Sequence, residues 1–383
     1  MRDQRLDRLA DVLVAYSTKV CPGEKVLIEG DLIGRPLAHA IFDRVLAAGA
    51  HPFWYAKDAE LDDALLSRAS DDQLAHLPPY LMSHINECDV RIAYWAERNT
   101  RSASGIEPAR AATFSRRRAP YMKRFMEREG TGELRWVGTQ FPTDASAQDA
   151  EMSLEAYCEF VFKAGLLDHA DPAASWRMIA ERQQLVCDWL NTKKEIRFRR
   201  PACDRFGETD LTVSVDGAKW INCAGDGNFP DGEVFAGPQG VEGVVCYTFP
   251  AVYNGREVEG VRLRFEGGRV VEASATKNEA FLIAMLDQDA GARTLGEIAI
   301  GTNYAITDFT KNTLFDEKIG GTFHAAVGAG YPESGSRNES ALHWDMVCDL
   351  RGGERGPGGT IEADGEVFHR DGLFLPEGWP GPA

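Results

Sequence analysis

Between Lys25 and Phe141 short apolar runs alternate with segments of helical pattern, and that rhythm restricts the first half of the chain to one class of fold. KVLIEG (25–30) and PFWYA (52–56) flank a helix from Pro36 to about Ala48; DVRIAYWA (89–96) and LRWVGTQF (134–141) follow, each trailed by a helical pattern. Strand, helix and strand in succession predict βαβ units and a parallel, Rossmann-like sheet, an α/β domain over residues 1–190. Sheets of this kind often carry dinucleotides. Here the turn after the first strand reads EGDLIGRP, with neither GxGxxG nor a P-loop anywhere, which argues against a nucleotide.

A longer helix, from about Ser175 through Asn191, carries Trp176, Ile179, Leu185 and Trp189 and reads as the bridge to a second domain. Beyond it the pattern becomes strand and turn: KEIRFRR, DLTVSVDG, GVVCYTFP, and VEGVRLRFEGGRVVEASA with a hairpin at Gly267–Gly268. Helical signals return only around 278–286 and 310–317, so residues 191–383 are expected to form an α+β domain. DGEVF occurs twice, at 231–235 and 364–368, but an Asp-Gly turn between two short strands accounts for the second copy, and the chain has no internal repeat.

With 383 residues the chain can bury sizeable cores without covalent staples. Its eight cysteines are scattered with no CxxC pair, and MRDQRLDRLADVLVAY has no secretory-leader pattern, so reduced thiols and a cytoplasmic location are expected. No apolar run approaches the roughly 20 residues of a membrane-spanning helix, so no membrane partner is expected. The 42 basic residues against 59 acidic ones, a net charge of −17, make nucleic acid an unfavourable partner. The one basic cluster, Arg116 to Arg118 with Lys123 and Arg124, falls where an amphipathic helix would run and reads as a solvated helix face, an anchor for a substrate carboxylate, or a subunit contact.

Chemistry concentrates between Leu314 and Asp345. His343 and Asp345 form an HxD pair, and on a strand such a pair points both side chains to one face. With His324 they supply two imidazoles and a carboxylate, a ligand mix that suits zinc, cobalt, manganese or non-haem iron, and the absence of cysteine favours an open, catalytic site. Glu233 in NFPDGEVFAGP, Glu297 in RTLGEIAIG and Glu317 in LFDEKIGG stand beside glycine or in loop-forming sequence. A glutamate after a turn is ordinarily solvated. Together, however, Glu233, Glu297, His324, His343 and Asp345 supply the ligand number that a pair of divalent ions requires. Tyr331, in HAAVGAGYP, stands where a phenol could serve an oxyanion or simply pack.

NFPDGEVFAGP, LGEIAIG, LFDEKIGGTFHAAVGAGYP and NESALHWDMV, in that order, resemble the signature blocks of the thermophilic metalloaminopeptidases. The resemblance implies a two-metal site (zinc, cobalt or manganese) with Glu233, Glu297, Glu317, His324, His343 and Asp345 as ligands. It also implies Tyr331 as a catalytic tyrosine, Glu297 doubling as the proton-handling carboxylate, a peptide or small amide as substrate, and a homodimer. One departure is visible: Glu317 precedes His324 by seven positions, a longer gap than in some members. The dihydroxypyridine dioxygenases are similar in fold and hold a single Fe(II) with two histidines and an aspartate, a role His324, His343 and Asp345 would also fill. Glu233 and Glu297 discriminate, because a one-iron enzyme has no use for them as ligands. A metal-binding protein without catalysis is the third possibility.

Overall fold

The computed structural model describes residues 3–253, 255–353 and 356–382 and divides into two compact units, Met1–Ala173 with Gly225–Pro230, and Ala174–Ala224 with Asp231–Ala383. The first is built on strands β1 (Lys25–Asp31), β2 (His51–Lys57), β3 (Val90–Trp95) and β4 (Arg135–Gln140), in the order β2-β1-β3-β4, extended by the two-residue strand Asn228–Phe229. Every neighbouring pair is parallel, as the βαβ rhythm predicts. That pairing of Asn228–Phe229 with β4 is why a short piece of later sequence belongs to the first unit.

The inner strands are apolar on both faces: Val26, Leu27, Ile28, Val90, Ile92 and Val137 are buried. Thr139 and Gln140 are buried polar exceptions, and Glu29 is a charged one. At 4 % exposure it lies between the Arg91 guanidinium, 2.8 Å away, and the Lys57 ammonium, one from each flanking strand. Burial pushes its carboxyl up, but the two cations outweigh that and hold it at about 2. At the β1/β3 switch point, where doubly wound sheets take their ligands, the Tyr94 ring lies so close over Gly30 and Gly34 that a Cβ on either would fall 2.3 Å from it. Its hydroxyl donates to the Asp31 carbonyl at 3.0 Å. The basic cluster is not one continuous helix: Arg117 and Arg118 stand between helices Pro108–Arg116 and Ala119–Gly130, with the Arg117 guanidinium 3.7 Å from the Phe114 ring centroid.

The second unit contains two large antiparallel sheets and the two-stranded antiparallel pair Ala251–Tyr253 and Arg256–Val258. The larger runs, edge to edge, Arg269–Ser274, Arg262–Glu266, Gly240–Cys246, Thr209–Ser214, Glu195–Arg200, Thr360–Ala363, Glu366–Arg370 and Leu373–Phe374. Both expected hairpins close on two successive positive-φ residues, Gly267–Gly268 and Asp364–Gly365. The smaller sheet runs His343–Asp349, Thr322–Gly328, Leu295–Gly301, Glu233–Ala236 and Ile221–Cys223. One core joins them: Ile196, Phe198 and Leu211 of the larger sheet are in a cluster with Ile298, Ile300 and Phe323 of the smaller, and the Phe198 and Phe323 rings lie 4.4 Å apart. Helix Pro172–Leu190 buries Val186, Cys187 and Leu190 in this same core, so from Ala174 onward it belongs to the second unit. Of the apolar residues it carries, Trp176 is buried while Leu185 is half exposed. Helices Glu279–Leu286 and Thr313–Asp316 complete an α+β unit. Among the described residues no helix is long and apolar enough to cross a membrane.

Candidate metal centre

The smaller sheet sorts its residues by parity. Val234 and Ala236, Ile298 and Ile300, Phe323, Ala325 and Val327, and Trp344 and Met346 all belong to the core. Strand side chains alternate, so Glu233, Glu297, His324, His343 and Asp345 share the opposite face. Register then brings them together. Glu297, Ala326 and Asp345 are paired in one row across three strands, and Ala299 faces His324 in the next. Alanine at positions 299 and 326 leaves the room into which the longer neighbours reach.

Each imidazole has one nitrogen committed to the backbone. His324 Nδ1 donates to the Glu317 carbonyl at 3.0 Å, and His343 Nδ1 donates to the Ala329 carbonyl at 2.7 Å. Both therefore present Nε2 to the acids, the arrangement by which proteins fix the tautomer of a ligating histidine. His324 Nε2 lies 3.0 Å from Glu297 Oε1, 3.5 Å from Glu233 Oε2 and 3.9 Å from Asp345 Oδ1. His343 Nε2 lies 3.5 Å from Asp345 Oδ1. Two triads offer ligand atoms all within 4.8 Å of one another: Glu233, Glu297 and His324, and Glu317, His324 and Asp345. His324 is common to both; His343 joins through Asp345.

The donor set fits divalent cations on two grounds. Glu233 Oε2 and Asp345 Oδ1 are buried without a hydrogen bond, a costly state for a carboxylate oxygen unless a cation is destined for it. Further, a neutral His324 with Nδ1 protonated would set an Nε2 lone pair against carboxylate oxygens; either a proton or a metal ion must lie between. Without metal the proton takes that place. Burial opposes charge on His324, but the Glu297 hydrogen bond with Glu233 and Asp345 raises its pKa to about 10, and Asp345 likewise outweighs burial to bring His343 to about 10. Burial lifts the Glu233 carboxyl to about 8 against the pull of Lys318, and raises Glu317 as well. The two imidazoles together hold Asp345 well below the carboxylate range despite its burial.

Tyr331 stands at the rim, 40 % exposed, with its ring 5.5 Å from that of His343 and 5.7 Å from that of Phe235. Burial of the ring, then the carboxylates Glu297 and Asp345, raises its pKa, so the hydroxyl is a donor throughout the neutral range. The segment from Tyr331 to His343 is pinned from below: Asp289 accepts from the Ser340 hydroxyl and the Ala341 amide, and Asn338 Nδ2 donates to the Gly291 carbonyl. Beside Glu317 and Asp345 a narrow cleft of about 20 Å³, room for about one water, is walled by Pro250, Val252, Phe309 and Val347. One residue at the centre escaped sequence reasoning. Lys318 is fully buried, 3.3 Å from Glu233 Oε1, 3.9 Å from Asp231 Oδ1 and in contact with Glu317 Oε1. Its only signal in the sequence is its place next to Glu317.

Known proteins resemble this chain in sequence and in fold. The model of a family described as thermophilic metalloprotease (M29) matches residues 2–373. Aminopeptidase 2 of Geobacillus stearothermophilus is 28 % identical over 385 aligned positions, covering 90 % of this chain and 92 % of that protein. Aminopeptidase T of Thermus thermophilus is 26 % identical over 97 % of both chains, and Aminopeptidase PepS of Streptococcus thermophilus 25 % identical over 97 % of this chain and 96 % of its own. The solved structure of wild-type AmpT from Thermus thermophilus has the same fold, with a TM-score of 0.84 at 24 % identity over 97 % of this chain and 99 % of that one. The chain belongs to the thermophilic metalloprotease family M29 and is a metal-dependent peptidase, a hydrolase.

Proposed function

We propose that this enzyme is an aminopeptidase that removes N-terminal residues through water activated by two divalent ions held by Glu233, Glu297, Glu317, His324, His343 and Asp345. The observation that carries the reading is the convergence of two backbone-oriented imidazoles with buried carboxylate oxygens that lack hydrogen bonds. It is supported by the aminopeptidase names of the relatives. When bound, the ions supply a nucleophile near neutral pH and polarise the scissile carbonyl. Tyr331 donates a hydrogen bond to the carbonyl oxygen as negative charge develops there. Glu297 takes the proton from water and returns it to the leaving amine; Glu317, already engaged by Lys318, is less free to do so. The free α-ammonium of the substrate is drawn to the acidic face. Two copies forming a homodimer in the cytoplasm belong to the same reading, supported by the family resemblance and by eight cysteines that form no disulfide.

The deciding experiment is metal content by mass spectrometry on protein purified without added metal, with release of amino acids from short peptides assayed alongside. Two zinc, cobalt or manganese ions per chain with N-terminal hydrolysis support the proposal. One iron per chain, with oxygen consumption on a hydroxylated pyridine, would replace it with the dioxygenase.

A further inference from the structure

Lys318 follows the four-residue helix Thr313–Asp316 and is enclosed completely, with its ammonium among three acids: Asp231, Glu233 and Glu317. An ammonium buried to this degree is costly unless paired, so its position is a property of the site and not of the apolar core. It touches one carboxylate from each ligand triad, Glu233 from the first and Glu317 from the second. On Glu233 the division is complete: Oε1 faces Lys318, while Oε2 faces His324 and has no hydrogen bond. Charge follows the same logic. Asp231, Glu233, Glu297, Glu317 and Asp345 carry five negative charges, which one ammonium and two dications would balance.

We propose that Lys318 is a resident cation of the metal site: it holds Glu233 and Glu317 in place in the metal-free protein, and it weakens the grip of those same carboxylates on divalent ions. The proposal rests on the metal-site reading above. Lys318 touches no reacting atom and is a positioning residue. In metal-free protein its ammonium contacts both buried carboxyl groups and ties them to one point. In metal-loaded protein an ion bound through Glu233 or Glu317 has a like charge on the same carboxylates, so affinity is set lower than the ligands alone would give. Sharing also limits Glu233 to one oxygen for any ion.

The test compares wild type with Lys318→Met, which keeps length and removes charge, by thermal melting in chelator and in saturating zinc, and by zinc affinity in competition with a chromophoric chelator. In chelator the variant should melt about 5–10 °C lower, as expected when one partner of a buried ion cluster is removed. Zinc should raise its melting temperature more than it raises that of wild type, and bind it at least about tenfold more tightly. A variant that melts with wild type in chelator, or binds zinc no more tightly, overturns the proposal. If Lys318→Met does not accumulate in folded form, Lys318→Met/Glu317→Gln removes opposite charges together. It should then melt within about 2 °C of wild type in chelator, and a larger loss overturns the proposal too. Wild type that binds no zinc, cobalt or manganese overturns the metal-site reading itself, whereas zinc binding with no difference between wild type and variant removes only the role of Lys318.

Discussion

Replacing Tyr331 with Phe deletes one oxygen and leaves the rest of the rim as it is. The Tyr331 ring packs against Phe235 and His343 at 5.7 and 5.5 Å, contacts a phenylalanine ring makes equally well, and the residue is 40 % exposed, so stability should change by no more than about 0.5 kcal/mol. None of the six proposed ligands is altered, so metal content should stay at the wild-type value. What is lost is a donor aimed at charge that exists only in the transition state. Removal of one such donor costs about 2.7–4 kcal/mol of barrier, which corresponds to roughly 10²–10³ in kcat. Because the interaction is absent from the ground state, KM should stay within about twofold. Steady-state kinetics on short peptides, metal analysis and thermal melting together check the prediction. A variant within about threefold of wild type refutes the catalytic role, and a loss of activity that parallels a loss of metal refutes the assignment to the transition state.

Glu233→Gln and Glu297→Gln each remove charge that two neighbouring dications require, and occupancy should fall toward one ion per chain with loss of peptide hydrolysis; wild-type metal content in both variants would refute the two-ion reading. Metal binding should also depend on pH. His324 and His343, at about 10, and Glu233, at about 8, must surrender protons to an entering ion, so affinity falls as pH falls below about 10 and more steeply below about 8, about tenfold per unit for each proton displaced. Calorimetry in buffers of different ionisation enthalpy should show more than one proton released per chain at neutral pH, and affinity constant between pH 6 and 8 would contradict this. Glu29→Gln probes the first unit. A carboxyl held at about 2 instead of 4.5 contributes roughly 3 kcal/mol, fully present above 4.5 and lost as pH falls through about 2. The stability gap between wild type and variant, measured by urea unfolding, should therefore shrink from pH 6 to pH 2; a gap independent of pH refutes the pairing.

The parallel sheet was legible because its inner strands are buried on both sides and leave uninterrupted apolar runs such as KVLIEG and DVRIAYWA. His343 and Asp345 were legible for the opposite reason: alternate positions on a strand face one way, whatever the strand pairs with. Burial of Glu233 was not legible, since a glutamate after Pro-Asp-Gly looks solvated. What buries it lies far off in sequence, where the Gln183 side-chain amide donates to the Glu233 carbonyl at 3.1 Å and Lys318 meets its carboxylate. Lys318 carries no periodic signal because it sits in a turn after a single turn of helix, and its role depends on contacts that only tertiary structure makes. Which face of helix Pro172–Leu190 packs was not legible, because it has apolar residues on more than one face; the buried set is Trp176, Gln183, Val186, Cys187 and Leu190.

The parity of the smaller sheet has a consequence for how this enzyme can vary. Along the Thr322–Gly328 strand the proposed ligand His324 stands between the core residues Phe323 and Ala325. A single inserted or deleted residue there would send the imidazole into the hydrocarbon interior and a phenyl ring into the acidic face, so both would fail at once. The segment between Tyr331 and His343, which leads out of one ligand strand and into the next, has no such alternation to preserve.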